Sequence, residues 1–409
     1  MIDDSDDTGT ATAAADGRRL RPRRRVAAMA IALGCATLAT LVTGPAALAS
    51  HGGAATPLQH DAAAVHQAGP VGVTAVLETP DGTVTAHSGT ADQRTGAPAR
   101  PQAHVRAGST TKPFIATVVL QLVGEGELSL EDTVEEWLPG VVTGDEIDGS
   151  RITVRQLLQH TSGLPDYLGR PDVLPAFHSA AGFHENQLRH YTDEELVAGA
   201  LRSSAEFAPG ADWSYSNTNY ILAGMIIERV TGRSWEREVQ DRVIEPLNLT
   251  GTELRGDDPT LPPPFLRGYH TFPEDGRRAD TTVFNTTGAS ASGALISTPR
   301  DIDRFLSALI GGELLRPAEL AEMQRVRDLP GRTDVSYGLG LFRRELTCGG
   351  FFWGHGGTAL GYNNENGVTA DGSRAVTVAT NSFDMVDEAT QDRTDDAMLT
   401  LVDNALCAR

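Results

Sequence analysis

The 409-residue sequence predicts an α+β fold: one antiparallel sheet built from both ends of the chain, flanked by helices, with a mostly helical region inserted at its middle. Three observations carry this. Residues 71–88 alternate in the manner of a strand pair, residues 127–330 alternate amphipathic helices with Gly/Pro-rich loops, and strand-like runs return after residue 337. Composition agrees with a globular chain, 40% apolar and 22% charged. Thirty-four Lys and Arg against 54 Asp and Glu give a net charge of −20, which argues against a partner rich in phosphate such as nucleic acid.

The N-terminal segment reads as an export signal. Six arginines lie within residues 18–25, an uncharged apolar run follows over 26–49, and Ala47-Leu48-Ala49 ends it, so cleavage is expected before Ser50 and the mature chain is expected to be secreted. An uncleaved anchor or a lipid on Cys35 are the alternatives. Removal of residues 1–49 leaves Cys348 and Cys407, an even count in an oxidising compartment, and they are expected to pair; two buried free thiols are the plainer reading.

A linker and a short helix occupy residues 50–70. Strands at 71–78 and 83–88 flank Pro80-Asp81-Gly82, a hairpin pattern. Gly108 and Ser109 introduce a helix over 111–123, closed by Gly124-Glu125-Gly126. Helices are expected at 192–201, 217–230, 234–243 and 299–310, strands at 337–345, 350–353 and 374–379, and a last helix at 385–406. The sheet-containing part thus comprises about 58–126 and 331–409, the insertion about 127–330, and the cleft between them is the default site.

The chain contains a single lysine, Lys112, among 34 basic residues. Arginine stays charged, so a lone lysine marks a position where a side chain must be able to lose its proton. Ser109 precedes it by one helical turn, which puts amine and hydroxyl on one face. Tyr215-Ser216-Asn217 offers a phenol for proton relay and an amide for a substrate carbonyl. In His355-Gly356-Gly357-Thr358 two glycines let a substrate backbone approach a strand edge. Singly, each has an ordinary reading: a solvated lysine, a polar helix cap, a glycine-rich turn. Tyr362-Asn363-Asn364, a second Tyr-x-Asn, reads as loop.

In this order the three motifs resemble those of the serine beta-lactamase and penicillin-binding superfamily, and most resemble its secreted D-alanyl-D-alanine carboxypeptidases, which carry His in the third motif. The resemblance runs from about Leu58 to Cys407 and includes His160-Thr161-Ser162-Gly163-Leu164 and Tyr337-Gly338-Leu339-Gly340-Leu341. It implies a beta-lactamase-like fold and an acyl-enzyme mechanism without cofactor or metal. Ser109 is then the nucleophile, Lys112 its base and Tyr215 the proton relay, with the order of Lys112 and Tyr215 open. Asn217, His355, Gly357 and Thr358 bind substrate, and the N–H groups of Ser109 and Thr358 receive the oxyanion. Cell-wall peptide or a peptidyl small molecule is the implied substrate, β-lactams the implied covalent ligands, and a monomer the expected state.

Two positions depart from the carboxypeptidase pattern. Phe342 stands where an arginine is expected to grip the substrate carboxylate, and Gly356 where a threonine is usual. Either Arg344, two residues on and on the same strand face, replaces the cation, or the substrate is an ester, a D-amino amide or another acyl compound, a β-lactam included. A protonated His355 is a further candidate for the missing charge; affinity for a carboxylate is then expected to weaken as pH rises through about 6.5. A silent module that only holds cell-wall peptide is the non-enzyme alternative. None of the 11 histidines forms His-Glu-x-x-His, and no serine sits in a Gly-x-Ser-x-Gly elbow, which disfavours metallohydrolase and Ser-His-Asp chemistry.

Overall fold

The computed structural model describes residues 56–408 apart from Asp145 and Asp275; the expected export segment and Cys35 lie outside the described residues. Three strands come from the N-terminal side: β1 (Gly72–Thr79), β2 (Gly82–Asp92) and β3 (Ala97–Pro98). Seven come from the C-terminal side: β4 (Arg327–Asp328), β5 (Val335–Tyr337), β6 (Phe342–Glu345), β7 (Phe351–Gly354), β8 (Gly357–Ala359), β9 (Tyr362–Thr369) and β10 (Ala375–Thr380). They form one ten-stranded antiparallel sheet in the order β4-β5-β6-β7-β9-β10-β1-β2-β3, with β8 also paired to β9. The chain ends therefore meet at the centre, where β10 lies beside β1 with Val73 opposite Thr380. Both faces of that pair are covered, so β10 is buried at every position.

Helices α1 (Pro57–Ala68) and α5 (Glu388–Cys407) cover one face, where Leu58, Val65, Val73, Leu77, Val378, Leu401 and Val402 pack together. On the other face lie α2 (Thr111–Glu125) and α4 (Pro299–Ile310); Phe114 of α2 stacks on Phe305 of α4 at 3.7 Å between ring centres. Although α4 falls within the stretch read as an insertion, it packs on β1 and β10, and Thr377 donates to Asp303 at 2.6 Å. Helix α3 (Thr218–Thr231) also packs on α2. A helix with neighbours on several sides is apolar nearly all round, and α2 buries eleven of its fifteen residues, Lys112 among them. Gly126, at φ 82°, ends it in the left-handed conformation that favours glycine.

Cys348, in the β6–β7 connection, is disulfide-bonded to Cys407 at the end of α5, as expected. Two expectations fail. The run 337–345 is two strands, because the chain turns between β5 and β6; Gly340, at φ 85°, passes so close to α2 that a Cβ there would lie 2.7 Å from that of Ala116. Tyr362-Asn363-Asn364 is not loop but the start of β9, an interior strand of the sheet. Its asparagines mimic a solvated segment in sequence, yet all three side chains are buried and bonded: Tyr362 to the Leu266 carbonyl, Asn363 to Asp395, and Asn364 to the carbonyls of Ala107 and Gly357.

Candidate active site

The turn Gly108–Thr110 feeds directly into α2 and sets Ser109 half-buried at its mouth. Gly108 has φ 53°, and a Cβ on it would lie 2.4 Å from the Thr358 carbonyl oxygen. A Cβ on Gly357 would lie 1.9 Å from the Ala107 oxygen and 3.0 Å from the Ser109 nitrogen. Glycine at both places lets β8 press against the nucleophile turn. Thr110 fastens the two, its hydroxyl lying 2.9 Å from the His355 carbonyl and 2.8 Å from Asn364 Oδ1.

Lys112 is fully buried, and burial pulls its pKa down to about 7, with Asp166 acting in the opposite sense. Its Nζ donates to Asn217 Oδ1 and to the Ser292 carbonyl, both at 2.8 Å, and lies 3.1 Å from Ser109 Oγ. The first two acceptors have no proton to give. When Lys112 is neutral its two N–H bonds stay on them and its lone pair is left facing the Ser109 hydroxyl. The amine is thus oriented as a base toward one oxygen.

Asn217 immediately precedes α3. Its Nδ2 donates to Asp166 Oδ2 at 2.9 Å and its backbone N–H to Asp166 Oδ1 at 3.2 Å, which fixes its Oδ1 toward Lys112. Burial raises the pKa of Asp166, and the Leu168 N–H, Asn217 and Lys112 oppose that rise. The Tyr215 ring lies 4.8 Å from Lys112 Nζ, and its hydroxyl has no hydrogen-bond partner among the described residues although Ser109 is close enough to favour its ionised form. Burial outweighs that pull and keeps the phenol protonated, its pKa well above the usual value.

In the third motif the ladder breaks between β7 and β8, and the Asn366 side chain takes over: its Oδ1 accepts from the His355 N–H and its Nδ2 donates to the His355 carbonyl, both at 2.9 Å. The His355 ring is buried. Nδ1 lies 2.7 Å from the Gly356 carbonyl, which can only accept, so Nε2, 3.1 Å from the Tyr337 hydroxyl, is the unprotonated nitrogen. Burial, then Lys112, pull its pKa down to about 3. This corrects the expectation of an imidazolium: His355 is neutral throughout the physiological range and supplies no charge for a carboxylate. Its ring packs instead 5.1 Å from that of Phe342, whose side chain occupies the place expected of an arginine.

Residues 356 and 358 face the open side of β8, where Thr358 is exposed and its Oγ1 donates to Asn363 at 3.2 Å. Gly356 has a neighbour that explains it. Glu365 of β9 sits across from it, and a Cβ on Gly356 would lie 2.6 to 2.8 Å from the Glu365 carboxyl group. Arg344 has its guanidinium 5.5 Å from the Phe342 ring centre and attracts Glu365 without an ion pair between them among the described residues.

A family model described as beta-lactamase matches residues 38–399. The chain belongs to the beta-lactamase family. It is similar to a solved D-stereospecific amidohydrolase from Streptomyces sp., with 38% identity and a TM-score of 0.75 over 82% of this chain and 98% of that one. The D-amino acid amidase from Ochrobactrum anthropi SV3 complexed with D-phenylalanine gives 30% identity and a TM-score of 0.70 over 84% and 98%. Esterase EstB from Burkholderia gladioli is 32% identical over 59% of this chain and 66% of that protein, and the curated relatives first matched are covered over 55% to 66% of their length. This chain is accordingly a serine hydrolase of the beta-lactamase and penicillin-binding superfamily.

For a beta-lactamase family member, several residues at this site carry weight that the motifs did not reveal. Asp166 orients Asn217, Ser292 holds an N–H of Lys112 through its carbonyl, and the Tyr337 hydroxyl lies 3.1 Å from His355 Nε2. His160, fully buried at φ 59°, lies 4.3 Å from the Tyr215 ring and accepts at Nδ1 from Ser216 and Asn219. His160 and Tyr337 had a signal, in the His-Thr-Ser-Gly-Leu and Tyr-Gly-Leu-Gly-Leu runs; Asp166 and Ser292 had none. Beside Ser109 a small cavity of about 30 Å³ is bordered by Arg106, Leu168, Phe177, Asn217 and Phe284.

Proposed function

We propose that this chain hydrolyses amides and esters of D-amino acids through an acyl-enzyme on Ser109. The observation that carries the chemistry is the buried amine of Lys112 with two of its hydrogens committed and Ser109 Oγ 3.1 Å away. The neutral amine takes the hydroxyl proton as Oγ attacks the substrate carbonyl carbon. The carbonyl oxygen becomes an oxyanion, received by the N–H groups of Ser109 and Thr358. The bond to the leaving nitrogen or oxygen breaks, and a proton returns from Lys112 through the Tyr215 hydroxyl to that atom. Water then attacks the ester carbonyl, its proton retracing the same path, and the acid and free Ser109 are regenerated. A β-lactam entering the same site acylates Ser109 by the same steps.

The choice of substrate rests on Phe342 and Gly356, which remove two of the contacts a terminal carboxylate needs, and on similarity to a D-stereospecific amidohydrolase and a D-amino acid amidase. A second reading, the D-alanyl-D-alanine carboxypeptidase, is favoured by Arg344, a cation on the same strand face as Phe342. The N-terminal segment and the disulfide support export. The test is a panel with purified protein: D-phenylalanine amide, its L-enantiomer, a D-phenylalanine aryl ester and a peptide ending in D-Ala-D-Ala. Turnover of the D-amide and D-ester, absent in Ser109→Ala, is the expected result. Preference for the peptide transfers the assignment to the carboxypeptidase, and Ser109-independent turnover discards the acyl-enzyme altogether.

A further inference from the structure

A site that grips a carboxylate needs hydroxyl donors or a cation against it. Here the place beside residue 356 holds an acid. Glu365 of β9 extends the β8–β9 register by one pair beyond Gly357 and Asn364, so its side chain shares a face with Gly356 and, two residues on, Thr358. That face is the open one: Gly356 and Glu365 are half-buried and Thr358 is exposed, whereas His355, Gly357 and Ala359 are buried. The Glu365 carboxyl group fills the space a side chain on residue 356 would need, with both oxygens within 2.8 Å of an ideal Cβ position there. No hydrogen bond or ion pair engages it among the described residues.

The surrounding charges do not cancel it. Arg344 of β6 attracts it without forming an ion pair among the described residues, its guanidinium 5.5 Å from the Phe342 ring centre. Asp395 of α5 adds a second negative charge, bonded to Asn363 at 2.7 Å beneath Thr358. His355 is neutral. The field over Gly356 and Thr358 is therefore set by two acids against one cation.

Resting on the acyl-enzyme reading above, we infer that Glu365 is a specificity-determining residue: it repels acyl donors whose leaving group carries a carboxylate and admits those whose leaving group is neutral or cationic. Like charges brought together across an interface are strongly unfavourable. Glycine at 356 follows from this arrangement, since it makes room for the acid.

Burial pushes the pKa of the Glu365 carboxyl group up to about 7, so two matched donors test it at pH 8, where most of it is ionised: an acyl-D-Ala-D-Ala peptide and its C-terminal carboxamide, compared in wild type, Glu365→Gln and Glu365→Ala. Labelling of Ser109 by an activated ester counts competent sites in each variant. In wild type kcat/KM for the carboxamide is expected to exceed that for the free acid by at least about tenfold. Both variants are expected to narrow that ratio at least fivefold by raising the free-acid value, with the carboxamide value held within about twofold. A ratio unchanged in both variants, with Ser109 still labelled, overturns the role of Glu365 and leaves the acyl-enzyme intact. A free-acid preference in wild type also overturns it, in favour of Arg344 as a carboxylate anchor. Failure of Ser109 to label in wild type overturns both readings.

Discussion

The Asp166 carboxylate holds Asn217 by two atoms, the backbone N–H at 3.2 Å and the side-chain Nδ2 at 2.9 Å. Because an amide has one oxygen and one nitrogen, this grip decides which of them meets Lys112. The acid also raises the pKa of the lysine through its charge. Asp166→Asn removes the charge and loosens the orientation. The acid limb of the kcat/KM profile is therefore expected to move to lower pH, while the plateau falls by about tenfold as the base loses its fixed direction. A limb that stays in place while the plateau falls assigns Asp166 a purely structural part.

For a neutral substrate the wild-type profile is expected to follow Lys112, because Glu365, whose pKa burial pushes up to about 7, acts only on a charged leaving group. With the lysine pKa pulled down to about 7 by burial, acylation is expected to rise with pH below that value, tenfold per pH unit, and to level off above it. His355, at about 3, and Tyr215, held protonated by burial, contribute no break between pH 5 and 8. Stopped-flow acylation by a neutral activated ester checks this, since such a substrate has no charge of its own to titrate.

Burying that lysine also has a price in stability. The folded pKa of about 7 lies below the ordinary 10.5, so the folded state binds fewer protons over that interval, and the gap corresponds to roughly 5 kcal/mol. The penalty is complete below pH 7 and disappears as pH rises toward the unfolded value. Lys112→Met is therefore expected to be inactive, and its Tm relative to wild type is expected to be most favourable near pH 6 and to fall behind steadily toward pH 9. A difference in Tm that does not change with pH shows the amine to be solvated.

Tyr215 separates two uses of the phenol. Its hydroxyl has no hydrogen-bond partner among the described residues, so Tyr215→Phe is expected to leave Tm within a few degrees of wild type. An amide needs a proton on its leaving nitrogen and an aryl ester does not. Amide turnover is expected to drop by about 10² to 10⁴, and acylation by the ester by far less. Equal losses on both substrates place the phenol in the attack step instead.

How much of this was legible beforehand depends on whether a residue's partner is local. Ser109 and Lys112 are one turn apart on one helix, and a lone lysine in an arginine-rich chain stands out, so their meeting was readable. The hairpin of β1 and β2 and the return of the C-terminal strands were readable from alternation and turn residues. The charge state of His355 was not, because it is set by burial and by the nearby Lys112, which are tertiary facts. β9 was missed for a related reason: its asparagines satisfy turns brought in from residues 107–110 and 355–358, and a polar run with distant partners looks like a loop. Asp166 and Glu365 carry no motif of their own; each acquires meaning only from the residue across from it.

The disulfide offers a last check that leaves the active site untouched. Cys348 and Cys407 are 59 residues apart, and they fasten the β6–β7 connection to the end of α5, the helix that covers Val378 and Leu77. Constraining the unfolded chain over a loop of that size contributes about 4 kcal/mol in the chain-entropy model. Ser109 and Lys112 lie at the N-terminus of α2, and α5 comes to the site through Asp395, well before its disulfide-bonded end. The pair Cys348→Ser and Cys407→Ser is therefore expected to lower Tm by several degrees while leaving kcat/KM near the wild-type value at temperatures where the chain stays folded. The fall in Tm should match that of wild type treated with a reductant, and the double variant should then be insensitive to the same treatment. Lost turnover in folded variant protein would instead tie the tether to the position of β8 against Ser109, since β7 carries the motif into that strand.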